Sequence, residues 1–136
     1  MKMNRVRKNQ RLLAALLLVV MLIPMLAMMA YASAKYPYAV SFGYSGETKY
    51  VYGTKTDTGY SAAASINSGT FNGGSVSFRL ERSNGSDLSY WAGPYYGTGN
   101  YYLYYYSNVS LTPPMSVRLA ARSNGSVSYI SGNFQP

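Results

Sequence analysis

From residue 35 onward, apolar and polar side chains alternate with a period of two along most of the chain. The first run puts Tyr36, Tyr38, Val40, Phe42 and Tyr44 on one side, with small or polar residues between them. Successive side chains of a β-strand point to opposite faces, so this pattern predicts a strand with one buried face. Comparable runs occupy residues 48–56, 60–66, 76–80, 88–90, 101–107, 115–119 and 127–134. No segment here has helical apolar spacing, and the many glycines and serines disfavour a helix.

Turn-forming residues separate these runs, as at Ser45-Gly46, Asn72-Gly73-Gly74 and Thr112-Pro113-Pro114. Many short strands bounded in this way are typical of sandwiches and barrels. We therefore predict an all-β fold, an antiparallel β-sandwich of about seven to eight short strands. Residues 35–136 are long enough for one modest core, so they are predicted to form a single domain.

The pentapeptide RSNGS occurs twice, at residues 82–86 and 122–126. We interpret both copies as hairpin tips over a shared core, which pairs Ala121 with Val127 and Leu119 with Tyr129 in the second copy. The matching segments before them favour duplication of a small sheet unit. The alternative is that favourable turn chemistry arose twice.

In the first copy, a three-residue turn with Gly85 in the left-handed region gives the better register. It places Leu80 opposite Leu88 and Phe78 opposite Tyr90, so apolar residues face one another.

Residues 1–34 combine a basic start, an apolar run over residues 12–30, and small residues at Ala30, Ala32 and Ala34. This pattern is typical of a secretory signal peptide, which is helical when it acts, and it predicts a secreted, extracellular protein cleaved after Ala34. The alternative is an uncleaved anchor, because the apolar run approaches the length of a membrane-spanning helix. Contact with a membrane is expected only through this segment before cleavage.

The formal charge of the whole chain is +8. Five of the twelve basic residues precede residue 35, which leaves seven bases against four acids and a formal charge of +3. Most of the positive charge therefore belongs to the export signal, and we predict no nucleic-acid partner.

The chain has no histidine and no cysteine, which removes the usual general base, the thiolate nucleophile and most transition-metal ligands. Of the four carboxylates, Glu81 and Asp87 flank one turn on the same outward side. We interpret them as a solvated hairpin tip rather than a glycosidase pair. We predict that the protein is not an enzyme and has no cofactor and no metal site.

The stretch YYGTGNYYLYYY is the strongest anomaly of composition. Its second half, as a strand, sends Tyr101, Leu103 and Tyr105 to one face and Tyr102, Tyr104 and Tyr106 to the other, so both faces carry rings. An exposed ladder of rings suits stacking on sugars, although tyrosine is also simply a good strand former. The candidate ligand-contact residues are Trp91, Tyr95, Tyr96, Tyr102, Tyr104 and Tyr106.

Basic residues interleave with these aromatics at Lys49, Lys55, Arg79, Arg118 and Arg122. A weakly cationic, tyrosine-bearing sheet suits adhesion to anionic wall polymers or lipid headgroups. Scattered solvation of the surface is the alternative interpretation.

The segments SVRLAARSNGSVSYISGNF and SGTFNGGSVSFRLERSNG resemble a functionally unassigned family of small secreted β-rich proteins of Gram-positive bacteria. The resemblance implies export, one compact β domain and no known cofactor, and it brings no catalytic residues. The heavy tyrosine run and the NFQP end depart from the pattern of that family.

Together these features predict a monomeric, non-enzymatic interaction module at the cell surface. Its expected ligand is a wall or matrix polysaccharide. The alternative function is a secreted, bacteriocin-like antimicrobial protein, because small bacteriocins with β-sandwich folds have a similar size and composition.

Overall fold

The computed structural model describes residues 34–136, which form eight β-strands. They are β1 (Tyr36–Ser41), β2 (Thr48–Lys55), β3 (Ser61–Thr70), β4 (Ser75–Arg82), β5 (Ala92–Tyr95), β6 (Gly99–Tyr104), β7 (Met115–Asn124) and β8 (Tyr129–Gln135). The first sheet has the order β1-β8-β3-β6 and the second has the order β2-β7-β4-β5. All neighbouring strands in both sheets are antiparallel. The predicted all-β, antiparallel sandwich is confirmed.

The predicted signal peptide, apart from its last residue, lies outside the described residues. Within residues 34–136, no helix has the length and hydropathy that a membrane span requires.

One face of each sheet contributes to a common apolar core, as the alternating pattern predicts. In the second sheet, Phe78 and Leu80 of β4 and Leu119 of β7 are completely buried. In the first sheet, Ile130 and Phe134 of β8 are equally inaccessible. Burying a side chain of this size contributes about 1.5–3 kcal/mol, so these strands are held by their inward residues.

The first RSNGS segment forms the predicted three-residue turn. The amide of Arg82 donates to the Ser86 carbonyl at 2.7 Å, and the amide of Leu88 donates to the Leu80 carbonyl at 2.8 Å. Gly85 has a φ of +95°, in the left-handed region that favours glycine. The predicted pairing of Leu80 with Leu88 is therefore confirmed.

The predicted fifth strand at residues 88–90 is wrong. The Leu80 amide donates to the side-chain hydroxyl of Ser89 at 2.9 Å, where a backbone carbonyl would continue the ladder. The chain leaves the sheet at this point and returns as β5, so Phe78 pairs with Ala92 rather than with Tyr90.

The second RSNGS segment does not form a hairpin. β7 continues through Arg122 and Ser123 to Asn124, because it is paired on one side with β2 and on the other with β4. The Ser123 amide also donates to the Glu47 carbonyl at 3.0 Å. The chain then crosses to the first sheet, where β8 pairs with β1 and β3.

The predicted pairs of Ala121 with Val127 and of Leu119 with Tyr129 are therefore wrong. The two similar segments are instead β4 and β7 themselves, which lie side by side with Leu80 opposite Leu119.

A bulge in β3 ties the centre of the first sheet to Tyr38. The pairing of β3 with β8 shifts between Ile66 and Ser68. A Cβ on Gly132 would overlap the Ser65 carbonyl oxygen, at 1.7 Å, so β8 needs glycine here. The Tyr38 hydroxyl reaches past Gly132 and donates to the same carbonyl at 2.8 Å.

Lys55 and the hydroxyl of Tyr105 are both buried in the core, but Lys55 has a polar partner and the hydroxyl has none among the described residues. Lys55, which the sequence counted among surface bases, is fully buried at the end of β2. Its Nζ lies 2.8 Å from Asp57 Oδ1 and 4.8 Å from the centre of the Tyr105 ring. The Tyr105 hydroxyl is itself buried without a hydrogen-bond partner in the described part of the chain. Burial raises the pKa of both Tyr38 and Tyr105 above the ordinary phenol value.

We expect removal of these two hydroxyls to have opposite effects on stability. Tyr38→Phe should lower the free energy of unfolding by about 1–2 kcal/mol, because it leaves the Ser65 carbonyl without its donor. Tyr105→Phe should be neutral or stabilising by up to about 1 kcal/mol, because it removes a buried polar atom without a partner. Urea unfolding at neutral pH measures both changes. An equal loss in the two variants would contradict the assignment for Tyr105.

Candidate functional site

Charge is divided unequally between the two sheets. The strands of the first sheet carry no charged residue. The second sheet carries all the charged strand residues, which are Lys49, Lys55, Arg79, Glu81, Arg82, Arg118 and Arg122. The outer faces of the two sheets therefore present different chemistry to a partner.

Of the six predicted contact residues, Tyr102 and Tyr104 are the two that share a face. They are adjacent outward positions of β6, an edge strand of the first sheet. Their exposed fractions are 64% and 70%, whereas Leu103 between them is buried at 1%. Two residues along a strand advance about 6.7 Å, so the rings form a short exposed ladder.

Tyr95 is half-buried and packs against the core. Its ring stacks on Tyr101 with a centroid separation of 3.8 Å, and both rings lie beside Phe78 at the margin of the core. Burial, together with the neighbouring Tyr101 phenol, raises the pKa of Tyr95. Tyr96 follows β5 directly and is exposed. It does not belong to β6, the strand that carries Tyr102 and Tyr104.

Tyr106 and Trp91 also lie apart from the exposed ladder. β6 ends at Tyr104, and the Tyr106 amide then donates to the Leu88 carbonyl at 2.8 Å. The half-buried Tyr106 ring meets Tyr90 edge to face at 4.6 Å. Trp91 lies against two arginines of the second sheet. The six candidate residues therefore lie on different parts of the molecule, and which of them contact a ligand stays a prediction.

Side-chain amides that the sequence did not single out lie next to the exposed tyrosines. Asn100 is outward on β6, and Asn133 and Gln135 are outward on β8. Together with Ala63, Ser65 and Lys35 they line a shallow depression of about 90 Å³. We call the surface formed by Tyr102, Tyr104, Asn100, Asn133 and Gln135 the tyrosine–amide face.

The register brings these residues together. On β3, Ala63 lies opposite both Tyr102 and Gln135, so one small side chain separates the ring from the amide. In the next outward row, Ser65 lies opposite both Asn100 and Asn133. The alternating pattern places Asn133 and Gln135 on the outward face of their strand. Their proximity to Tyr102 and Asn100 depends on the strand order, which the pattern does not give.

The tyrosine–amide face offers flat rings beside neutral donors and acceptors. The side-chain amides of Asn100, Asn133 and Gln135 make no hydrogen bond to residues 34–136, so they are available to a ligand. Each amide presents both a carbonyl acceptor and an NH₂ donor. Such a surface can stack on an apolar ring face and exchange hydrogen bonds with hydroxyls, and its strands contribute no ionic contact.

The outer face of the second sheet is organised around Glu81. This carboxylate is 1% exposed and accepts from Arg79 Nε at 3.0 Å and from Arg118 Nε at 2.8 Å. Arg79 also reaches Asp87 at 3.0 Å, and Arg118 lies over the Tyr50 ring at 4.0 Å. The expectation that Glu81 is solvated at a hairpin tip is therefore wrong, because the two arginines cover it.

Compared with known proteins, the chain matches no family model, no curated protein and no solved structure. The resemblance to secreted β-rich proteins stays a prediction.

We expect the two neighbouring carboxylates to differ in their importance for stability. Glu81→Gln should lower the free energy of unfolding by about 2–3 kcal/mol, because it leaves two partly exposed arginines without their shared anion. Asp87→Asn is the matched control, because Asp87 contacts the same Arg79 at the surface, and it should cost less than about 0.5 kcal/mol. Urea unfolding of both variants checks this difference, and similar losses would show that burial of Glu81 has no special role.

Proposed function

We propose that the protein is a non-enzymatic extracellular module that binds a wall or matrix polysaccharide through the tyrosine–amide face. The observation that carries the proposal is the pair of exposed rings of Tyr102 and Tyr104 beside three unengaged side-chain amides. Neighbouring exposed rings form a contiguous patch, and such patches often mark contact surfaces.

The five residues that define the tyrosine–amide face are all uncharged, although Lys35 lies at its depression, and this supports a carbohydrate as the ligand class. A sugar ring has a C–H face that packs on an aromatic ring and hydroxyls that both donate and accept hydrogen bonds. Tyr102 and Tyr104 supply the first kind of contact, and Asn133 and Gln135 supply the second. The edge position of β6 leaves the rings open to a chain that extends beyond the sheet.

The cellular setting rests on the sequence. Export follows from the signal-peptide pattern of residues 1–34, and a surface polymer is the corresponding ligand source. The alternative of a secreted antimicrobial protein stays a prediction, and killing of a related strain by the purified protein would support it.

We expect the purified protein to be retained on purified cell walls, and Tyr102→Thr combined with Tyr104→Thr to weaken retention about thirtyfold. Each lost ring contact is worth about 1 kcal/mol, and threonine preserves strand propensity. Sedimentation with the walls, at several protein concentrations, measures the change. The size of the loss caused by the two substitutions should alter little between about 0.05 M and about 0.5 M NaCl, because the contacts of Tyr102 and Tyr104 are not ionic.

The matched control is Tyr44→Thr combined with Tyr96→Thr, which removes two comparably exposed rings outside the face. This control should bind as the parent does. If both double variants lose binding equally, or if neither does, the tyrosine–amide face is not the contact surface. Urea unfolding confirms that each variant is folded.

A further inference from the structure

Arg122 is a base whose guanidinium has no anionic partner within residues 34–136. It is half-buried on the outer face of β7, and its guanidinium carbon lies 4.0 Å from the centre of the Trp91 ring. None of its side-chain N–H groups donates to another described residue. Arginine has five such donors in a planar fork, so a fixed guanidinium with all of them open can receive a ligand.

No side-chain carboxylate within residues 34–136 is free to satisfy Arg122, and the carboxylate of Pro136 forms no ion pair with it. All four acids already form ion pairs with other bases. The pairs are Glu47 with Lys49, Asp57 with Lys55, Glu81 with Arg79 and Arg118, and Asp87 with Arg79. The remaining anionic partner would therefore have to come from outside residues 34–136.

The neighbours of Arg122 hold it in place and add a hydroxyl. Arg122 lies directly opposite Ser77 of β4, and its side chain reaches across β4 toward Trp91, which precedes β5. Ser77 Oγ accepts from Asn124 Nδ2 at 3.1 Å, which leaves its own O–H to donate. Arg79 lies over the same indole at 4.6 Å and is neutralised by its carboxylates.

We propose that Arg122, positioned by Trp91 and assisted by Ser77, binds a phosphate group of an anionic polymer. A tetrahedral phosphate has enough oxygens to accept two N–H bonds from the guanidinium fork and one O–H bond from Ser77. A carboxylate is planar, so its acceptor sites lie in the plane of a guanidinium that it binds side by side, whereas the terminal oxygens of a tetrahedral phosphate also present acceptor sites out of that plane for a donor such as the Ser77 hydroxyl. This site lies on the opposite sheet from the tyrosine–amide face and does not depend on the proposed polysaccharide function.

Trp91 makes the proposal directly testable, because it is the sole tryptophan of the chain and lies in the site. Titration with long-chain inorganic polyphosphate at low ionic strength should produce a saturable change in its emission. Arg122→Gln should weaken this binding about tenfold, the effect of one charge-assisted contact. Arg122→Lys should be intermediate, because it keeps the charge but loses the planar fork.

Arg82→Gln is the matched control, because it removes the same charge from an arginine that also has no carboxylate partner in the described chain. It should change the affinity less than about twofold. Equal weakening by Arg82→Gln and Arg122→Gln would overturn the proposal in favour of a general charge effect. Absence of a saturable change in the parent would also overturn it.

Poly-L-glutamate tests the choice of phosphate. Weaker binding of polyglutamate than of polyphosphate supports the proposal, and equal or tighter binding would overturn it. The Tyr102→Thr, Tyr104→Thr double variant should bind polyphosphate as the parent does, so failure of either site is distinguishable from failure of the other. Urea unfolding shows whether Arg122→Gln remains folded.

Discussion

All the described strands except the short β5 give one of their two faces to a common interior, and that constraint decides which side chains are left for binding. Without cysteine no disulfide can relieve the demand on packing, so the inward positions of β4, β7 and β8 are mostly apolar and almost completely buried, with Ser123 of β7 as a buried polar exception. Candidate contact residues must therefore come from the outward positions. Because outward residues alternate with core residues, each sheet presents its contact side chains in regular rows.

The outer faces of the two sheets are covered by different kinds of side chain. The first sheet uses small and neutral residues, so two tyrosines stand above a low surface. The second sheet uses long arginine side chains that lie over Trp91 and Tyr50 and converge on Glu81. The stems of such side chains cover apolar surface, which is why Ala120 beneath them is fully buried although it faces outward. The exposed tyrosines of β6 and the arginines of the second sheet therefore lie on opposite faces of the sandwich.

Patterns in the sequence correctly predicted the features that depend on interactions between residues close together in the chain. Alternation gave the strand class, and turn chemistry gave the register around Gly85. The second RSNGS segment has the same five residues and a different structure, because β7 is held on both edges by strands distant in sequence. For the candidate site too, the sequence predicted the local features but not those that depend on strand order. Outward parity identified Tyr102 and Tyr104, but the position of Trp91 and the burial of Lys55 depend on which strands meet, and no local pattern contains that information.

β6 carries tyrosines on both of its faces, so the register of β6 against β3 decides which tyrosines are exposed at the candidate site. Inside, Tyr101 can be accommodated because its hydroxyl donates to the Gly97 carbonyl at 2.7 Å. Outside, Tyr102 and Tyr104 need no partner, because water hydrates their hydroxyls. A slip of one residue against β3 would bury this pair and expose Leu103, which now packs opposite Ala62. Since tyrosine tolerates either environment, Leu103 is the residue of β6 that distinguishes the two registers, and its burial is what keeps the ladder of rings at the surface.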